Sequence, residues 1–169
     1  MHKAIVKEMK IFQSKNKSFM KSAKIAELGS YNINGTIRKY LPKLKGFDIY
    51  KGDCVDVVIR PGIIPQEHIG KYNFVVSCNS FQYCPEPKLY KKEIIDLLKT
   101  GGMVWFNMCA PSCKRKHNTS DNKYKYKDSF RMSRKNLKAF FEPEITCVLC
   151  YQKTRFGHKD IIFIGKKGE

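Results

Sequence analysis

The stretch Ala23-Lys-Ile-Ala-Glu-Leu-Gly-Ser-Tyr-Asn-Ile-Asn-Gly-Thr-Ile-Arg38 constrains this chain more than any other part of it. A short apolar run enters Glu27 and Gly29. A polar turn with a second glycine, Gly35, follows, and a helix is predicted from there, with Asn34 or Thr36 as its cap. A strand running through a glycine turn into a helix is how an open α/β sheet presents a nucleotide-like cofactor at a strand's carboxyl end. Asp48 follows Gly29 by 19 positions, at the end of the next apolar run. One ionised carboxylate there can accept hydrogen bonds from both hydroxyls of a ribose.

The remaining pattern is that of a layered α/β domain. Strands are predicted over 24–28, 46–50, 55–59, 72–78, 103–109, 145–151 and 160–165. The near-continuous apolar run Tyr72-Asn-Phe-Val-Val-Ser-Cys78 reads as a central strand covered on both faces. Pro87 to Lys99 reads as a helix with Pro87 in its first turn, a buried stripe of Leu89, Ile94, Leu97 and Leu98, and Gly101-Gly102 as its stop. Ser133 is placed to cap a second, short helix ending at Phe141. The third strand follows the second too closely for a helical crossover, which takes about a dozen residues. The last two strands read as an antiparallel hairpin. Ile5, Met9 and Phe12 share a helical face, so residues 1–22 are expected to be a basic helix or arm ahead of a domain over 23–169.

Charge narrows the partners. Lys and Arg total 33 against 15 acidic residues, a net +18 on 169 residues. Such an excess on one small domain points to a polyanion, RNA before others. No run of apolar residues is long enough to span a membrane. Seven cysteines, mostly in apolar runs, favour reduced thiols and a cytoplasmic setting over a disulfide framework. Cys109-x3-Cys113 and Cys147-x2-Cys150 are read as packing and not as a metal site; an odd offset in a strand is expected to send Cys147 and Cys150 to opposite faces.

Taken in order, the elements are a Glu-x-Gly turn, an acidic second strand, the segment Phe74-Val-Val-Ser-Cys-Asn-Ser-Phe-Gln, a helix running into Leu98-Lys-Thr-Gly-Gly-Met-Val, and a terminal hairpin. This succession, over roughly residues 23 to 166, resembles the class I S-adenosylmethionine-dependent methyltransferases, in particular the small type 11-like group. The resemblance implies a Rossmann-like, mostly parallel sheet with a C-terminal antiparallel hairpin and helices on both faces. It implies S-adenosylmethionine as cofactor. Glu27, Leu28, Gly29 and Ser30 would cradle its methionine end, with Asn32 and Gly35 completing the turn and Asp48 holding the ribose. Asn32 stands where a second glycine is commoner and is expected to take a left-handed backbone in its place. Arg60 falls where an acidic residue often meets the adenine amino group, so backbone groups around Arg60 to Ile63 are expected to substitute.

The acceptor is expected beside Asn79, Gln82 and Tyr83, under a long basic loop carrying Lys114, Arg115, Lys116, Tyr124 and Tyr126. Aromatic rings interleaved with cations suit bases stacked above a phosphate track. No catalytic base is identifiable, and methyl transfer from a sulfonium can proceed by alignment alone. Methyl transfer to an unidentified acceptor is therefore the leading expectation; the charge favours RNA or another polyanion, with a small molecule as the other option. The alternative is a non-catalytic basic module, binding nucleic acid or protein on a degenerate methyltransferase fold. A different dinucleotide-binding oxidoreductase fits less well, because the full glycine fingerprint is missing.

Overall fold

The computed structural model describes residues 3–32, 35–84, 86–113, 131–155 and 158–168. Seven strands form one sheet: β1 (Ile25–Leu28), β2 (Lys45–Asp48), β3 (Val57–Val58), β4 (Tyr72–Cys78), β5 (Leu98–Cys109), β6 (Ile145–Arg155) and β7 (His158–Lys167). Their order is β3-β2-β1-β4-β5-β7-β6. The first five run parallel; β7 lies antiparallel between β5 and β6. The Rossmann-like sheet with a terminal antiparallel hairpin expected from the sequence is the one that forms. Strand order reverses beside β1, which pairs β2 on one side and β4 on the other. That switch point is where open α/β sheets leave a crevice for ligands.

Period-two alternation sorts the strand residues between two cores. On one face, Val104, Phe106 and Met108 meet Ile94 and Leu97 of α3 (Pro87–Leu97) and Leu137 and Phe141 of α4 (Arg134–Phe141). On the other, Phe74, Val76 and Trp105 meet Ile5, Met9 and Phe12 of α1 (Lys3–Lys15) together with Ile37, Leu41 and Leu44. Phe12 stacks on Phe74 with ring centroids 5.1 Å apart, and Phe19 of the short α2 (Lys17–Ser22) meets the same ring edge-on. Ser133 caps α4 by accepting from the Asn136 amide.

Several local expectations change. The helix predicted after Gly35 is absent among the described residues; residues 37–44 form successive turns, with Thr36 Oγ1 accepting from the Arg38 amide. Asn34, the other predicted cap, lies outside the described residues. Pro42 supplies no donor and disfavours helical backbone just before it, so the segment is too short to nucleate a helix. The turns nonetheless bury Ile37 and Leu41.

The pair Gly101-Gly102 does not stop α3. Leu98 is already extended, at φ −74° and ψ 134°, and both glycines lie inside β5, where the register against β4 shifts. They form an irregularity in a strand, a role glycine suits.

The short link from β2 to β3 carries no helix. It is latched instead: Arg38 pairs with Asp56 and donates to the Cys54 carbonyl, and Asp56 accepts from the Gly46 amide at 2.6 Å. Cys147 and Cys150 share one face after all, because the register slips between Cys147 and Leu149 and adds a residue between them.

A candidate cofactor site at the carboxyl edge of the sheet

β1 ends in Glu27 and Leu28, and the chain then turns at Gly29, whose φ is +75°. A Cβ there would lie 2.3 Å from Ser80 Cβ, so the turn admits no side chain. Ser80 closes on it for a reason. The hydroxyls of Ser77, Ser80 and Tyr90 form a triangle with sides of 2.7 to 3.0 Å, and Tyr90 donates to the Leu28 carbonyl at 2.9 Å. This cluster ties the ends of β1 and β4 to α3. Removing the buried Tyr90 hydroxyl strips the cluster of its centre. Tyr90→Phe is expected to cost about 1–3 kcal/mol in a urea titration; an unchanged midpoint would show that the cluster holds nothing.

Beyond Gly29, Asn32 does not adopt left-handed backbone; among non-glycine described residues only Cys54 and Asn79 have positive φ. Asn32 shapes the turn with its side chain, Oδ1 accepting from the Gly35 amide at 2.8 Å. Gly35 supplies the positive φ, +98°. Ser30 is buried, with its hydroxyl unpartnered among the described residues.

Asp48 stands across the crevice at the end of β2. Its Oδ2 accepts from the Tyr31 amide and its Oδ1 from the Tyr50 amide, each at 3.0 Å. Each oxygen keeps a further lone pair for a ligand donor. Burial raises its pKa, and the amides of Tyr31 and Tyr50 oppose that rise.

Glu27 is the anomaly. It is 4% exposed, its Oε2 has no partner among the described residues, and burial pushes its pKa up to about 8. The Arg38 guanidinium works against this rise and the Asp48 carboxylate adds to it. A buried, unpaired carboxyl is costly unless something else pairs with it.

The sheet register places an acceptor side next to these groups. Asn79, at φ +54°, follows β4; its side-chain oxygen accepts from Asn107 Nδ2 at 2.7 Å. Asn107 is fully buried, and its own Oδ1 is unpartnered among the described residues. Two register positions further out, Cys109 pairs with Asp160 of β7, a buried carboxyl raised by burial to about 6.

Of the other predicted acceptor residues, Gln82 is fully buried and its Oε1 accepts from the Cys109 amide, so it braces the end of β5. Tyr83 is half-buried in a single 3₁₀ turn, its amide bonded to Ser80. Lys114, Arg115, Lys116, Tyr124 and Tyr126 lie outside the described residues. Near Arg60, the loop folds back through an Arg60–Ile63 bridge, and Glu93 of α3 takes the Gly62 amide at 2.7 Å.

No family model and no curated protein matches this sequence. Solved structures do. A Burkholderia thailandensis 1,6-didemethyltoxoflavin-N1-methyltransferase, bound to 1,6-didemethyltoxoflavin and S-adenosylhomocysteine, superposes with a TM-score of 0.69 at 10% identity, over 91% of this chain and 75% of that one. A SAM-dependent methyltransferase structure from Methanosarcina mazei gives 0.62 at 15% identity, over 86% and 92%. The fold is that of the class I S-adenosylmethionine-dependent methyltransferases.

Within this methyltransferase fold, the groups that sequence reading missed are Ser77, Ser80, Tyr90, Asn107 and Asp160. Tyr90 stood outside the predicted stripe of Leu89, Ile94, Leu97 and Leu98, yet it is buried. Asn107 and Asp160 sit in apolar runs, Trp-Phe-Asn-Met and Asp-Ile-Ile-Phe-Ile, where a lone polar residue was the available signal. No helix among the described residues is long and apolar enough to cross a membrane.

Proposed function

We propose that this chain binds S-adenosylmethionine and transfers its methyl group to an acceptor carried on a polyanion, RNA first. One observation carries the cofactor reading: Glu27 holds a buried oxygen without a partner among the described residues, beside the side-chain-free Gly29 turn at the switch point of the sheet. Those residues fit the group. Glu27 would take the methionine ammonium, the Gly29 and Ser30 turn would pass close to the methionine chain, and Asp48 would hold the ribose hydroxyls. When bound, S-adenosylmethionine supplies a methyl group already activated on a sulfonium.

The protein's part is then positioning. Asn79 and Asn107 offer an amide edge to an acceptor nitrogen or oxygen. Asp160 stands two register positions away with a pKa suited to taking up a proton near neutrality. The net charge of +18 supports a polyanionic acceptor, and Lys114, Arg115, Lys116, Tyr124 and Tyr126 are the residues expected to engage it.

One observation favours a second reading, a non-catalytic basic module. The turns over 37–44 stand where a helix was expected, and a helix would have aimed its N-terminal donors at the crevice. Calorimetric titration with S-adenosylhomocysteine separates the two. The enzyme reading expects micromolar binding that Asp48→Ala weakens by about tenfold or more, the worth of hydrogen bonds to a charged group. Folded wild-type protein that binds neither S-adenosylhomocysteine nor S-adenosylmethionine would leave the basic module.

A further inference from the structure

The two faces of this domain differ in charge. The helices α1 and α2 carry six lysines, Lys3 to Lys21, and a single acid, Glu8. Glu8 is 5% exposed and already engaged, accepting from the Tyr151 hydroxyl at 2.7 Å and pairing with Lys153 at 3.1 Å. The adjoining turns, residues 37–45, add Lys39, Lys43 and Lys45 and no acid of their own, while Arg38 among them is paired with Asp56.

These elements form one continuous surface. Gln13 of α1 donates to the Tyr40 carbonyl, and the ammonium groups of Lys10 and Lys39 lie 4.9 and 5.2 Å from the centre of the Tyr40 ring. Lys7, Lys10, Lys17, Lys21, Lys39 and Lys43 are all exposed. The opposite face is different. There Lys92 pairs with Asp96 within α3, and Lys91 pairs with Glu144.

The direction of α1 matters as much as its charge. Phe12 stacks on Phe74, low on β4, whereas Glu8 bonds to Tyr151. Tyr151 is level with Ile162, Asn107 and Cys78, at the carboxyl edge of the sheet. The helix therefore descends from the carboxyl edge of the sheet at β6 toward the lower part of β4, and its lysines form a track leading up to that edge.

We infer that the surface made by α1, α2 and the 37–45 turns is an RNA-binding track that delivers a single-stranded segment to the carboxyl edge of the sheet. The inference rests on the polyanion part of the proposed function and names the surface that part needs. An anionic membrane suits this surface less well. A membrane-lying helix turns its apolar face outward; here Ile5, Met9 and Phe12 face the sheet, and Ile11 is the one exposed large apolar side chain described on these elements.

The test uses the full chain and a short fluorescein-labelled oligouridine, followed by anisotropy over a series of salt concentrations. Two triple variants carry the same change in charge: Lys10→Gln/Lys17→Gln/Lys39→Gln on the track, and Lys88→Gln/Lys99→Gln/Lys135→Gln on the far face. All six lysines are exposed, and matching thermal melts establish that both variants fold. The track variant is expected to bind about tenfold or more weakly than the far-face variant, with a log–log salt slope shallower by about 2, as three lost phosphate contacts require. Equal weakening by both triples would mean diffuse attraction and overturn the track. Full binding by the track variant would overturn it too, while leaving a polyanion held by other residues, Lys114, Arg115 and Lys116 for example. If wild type ignores the RNA but sediments with phosphatidylserine vesicles, the track and the RNA reading fall together.

Discussion

Glu27→Gln is expected to make the protein more stable in mild alkali and to abolish cofactor binding. Both effects come from one carboxyl. Its pKa stands at about 8 in the folded protein against 4.5 for an ordinary glutamate. Between those two values the folded chain holds a proton that the unfolded chain has released. Folding stability therefore falls as pH rises from about 4.5 to about 8 and levels off above that. The accumulated loss is roughly a few kcal/mol. Glutamine carries no such charge, so the variant's melting temperature should pull ahead of wild type across this interval, by about 5–10 °C at its upper end.

Cofactor binding should run the other way. An ammonium placed against Glu27 favours the ionised form, so affinity for S-adenosylhomocysteine should rise with pH up to about 8, with close to one proton released on binding near pH 7. Calorimetry in buffers of different ionisation enthalpy counts that proton. A pH-independent affinity, or a glutamine variant that binds normally, would remove Glu27 from the site.

The second large effect is steric. Gly29→Ala asks an L side chain to adopt φ +75° and to place a Cβ 2.3 Å from Ser80 Cβ and 3.1 Å from the Tyr90 hydroxyl. Left-handed strain costs about 1–2 kcal/mol, and a clash that the hydroxyl triangle resists adds about as much again. A loss of about 3 kcal/mol in chemical denaturation is expected. Adding Ser80→Gly should relieve the clash but also remove a hydroxyl of the triangle, so the double variant should lose less than the two single variants' losses added together. A single variant as stable as wild type would mean that this turn is loose.

Residues such as Gly29 are legible in the sequence because their positions tolerate so little else. Gly29 announces itself because no other residue tolerates its position, and Asp48 because a polar side chain ends an apolar run. The sheet was legible because strands covered on both faces read as unbroken apolar stretches, as Tyr72 to Cys78 and Met103 to Cys109 do. The missing helix after Gly35 was not legible. Its apolar spacing at Ile37, Leu41 and Leu44 serves a succession of turns as well as it would serve a helix. Cys147 and Cys150 misled because a strand's alternation cannot reveal a register slip. The hydroxyl cluster, Asn107 and Asp160 were hidden for another reason. Their neighbours come from β1, β4, α3 and β7, and no local pattern records contacts between segments so far apart in the chain.

The place of β7 between β5 and β6 also orders events during synthesis. β7 emerges after every other strand, yet it joins the middle of the finished sheet. Until it arrives, β5 keeps one edge unpaired, and β6, already made, lacks its sheet neighbour. The nascent chain must therefore carry an open edge of apolar strand until β7 has been made, the interval in which such edges invite aggregation. Closure then comes as a late insertion, which couples the integrity of the whole sheet to the ten residues from His158 to Lys167.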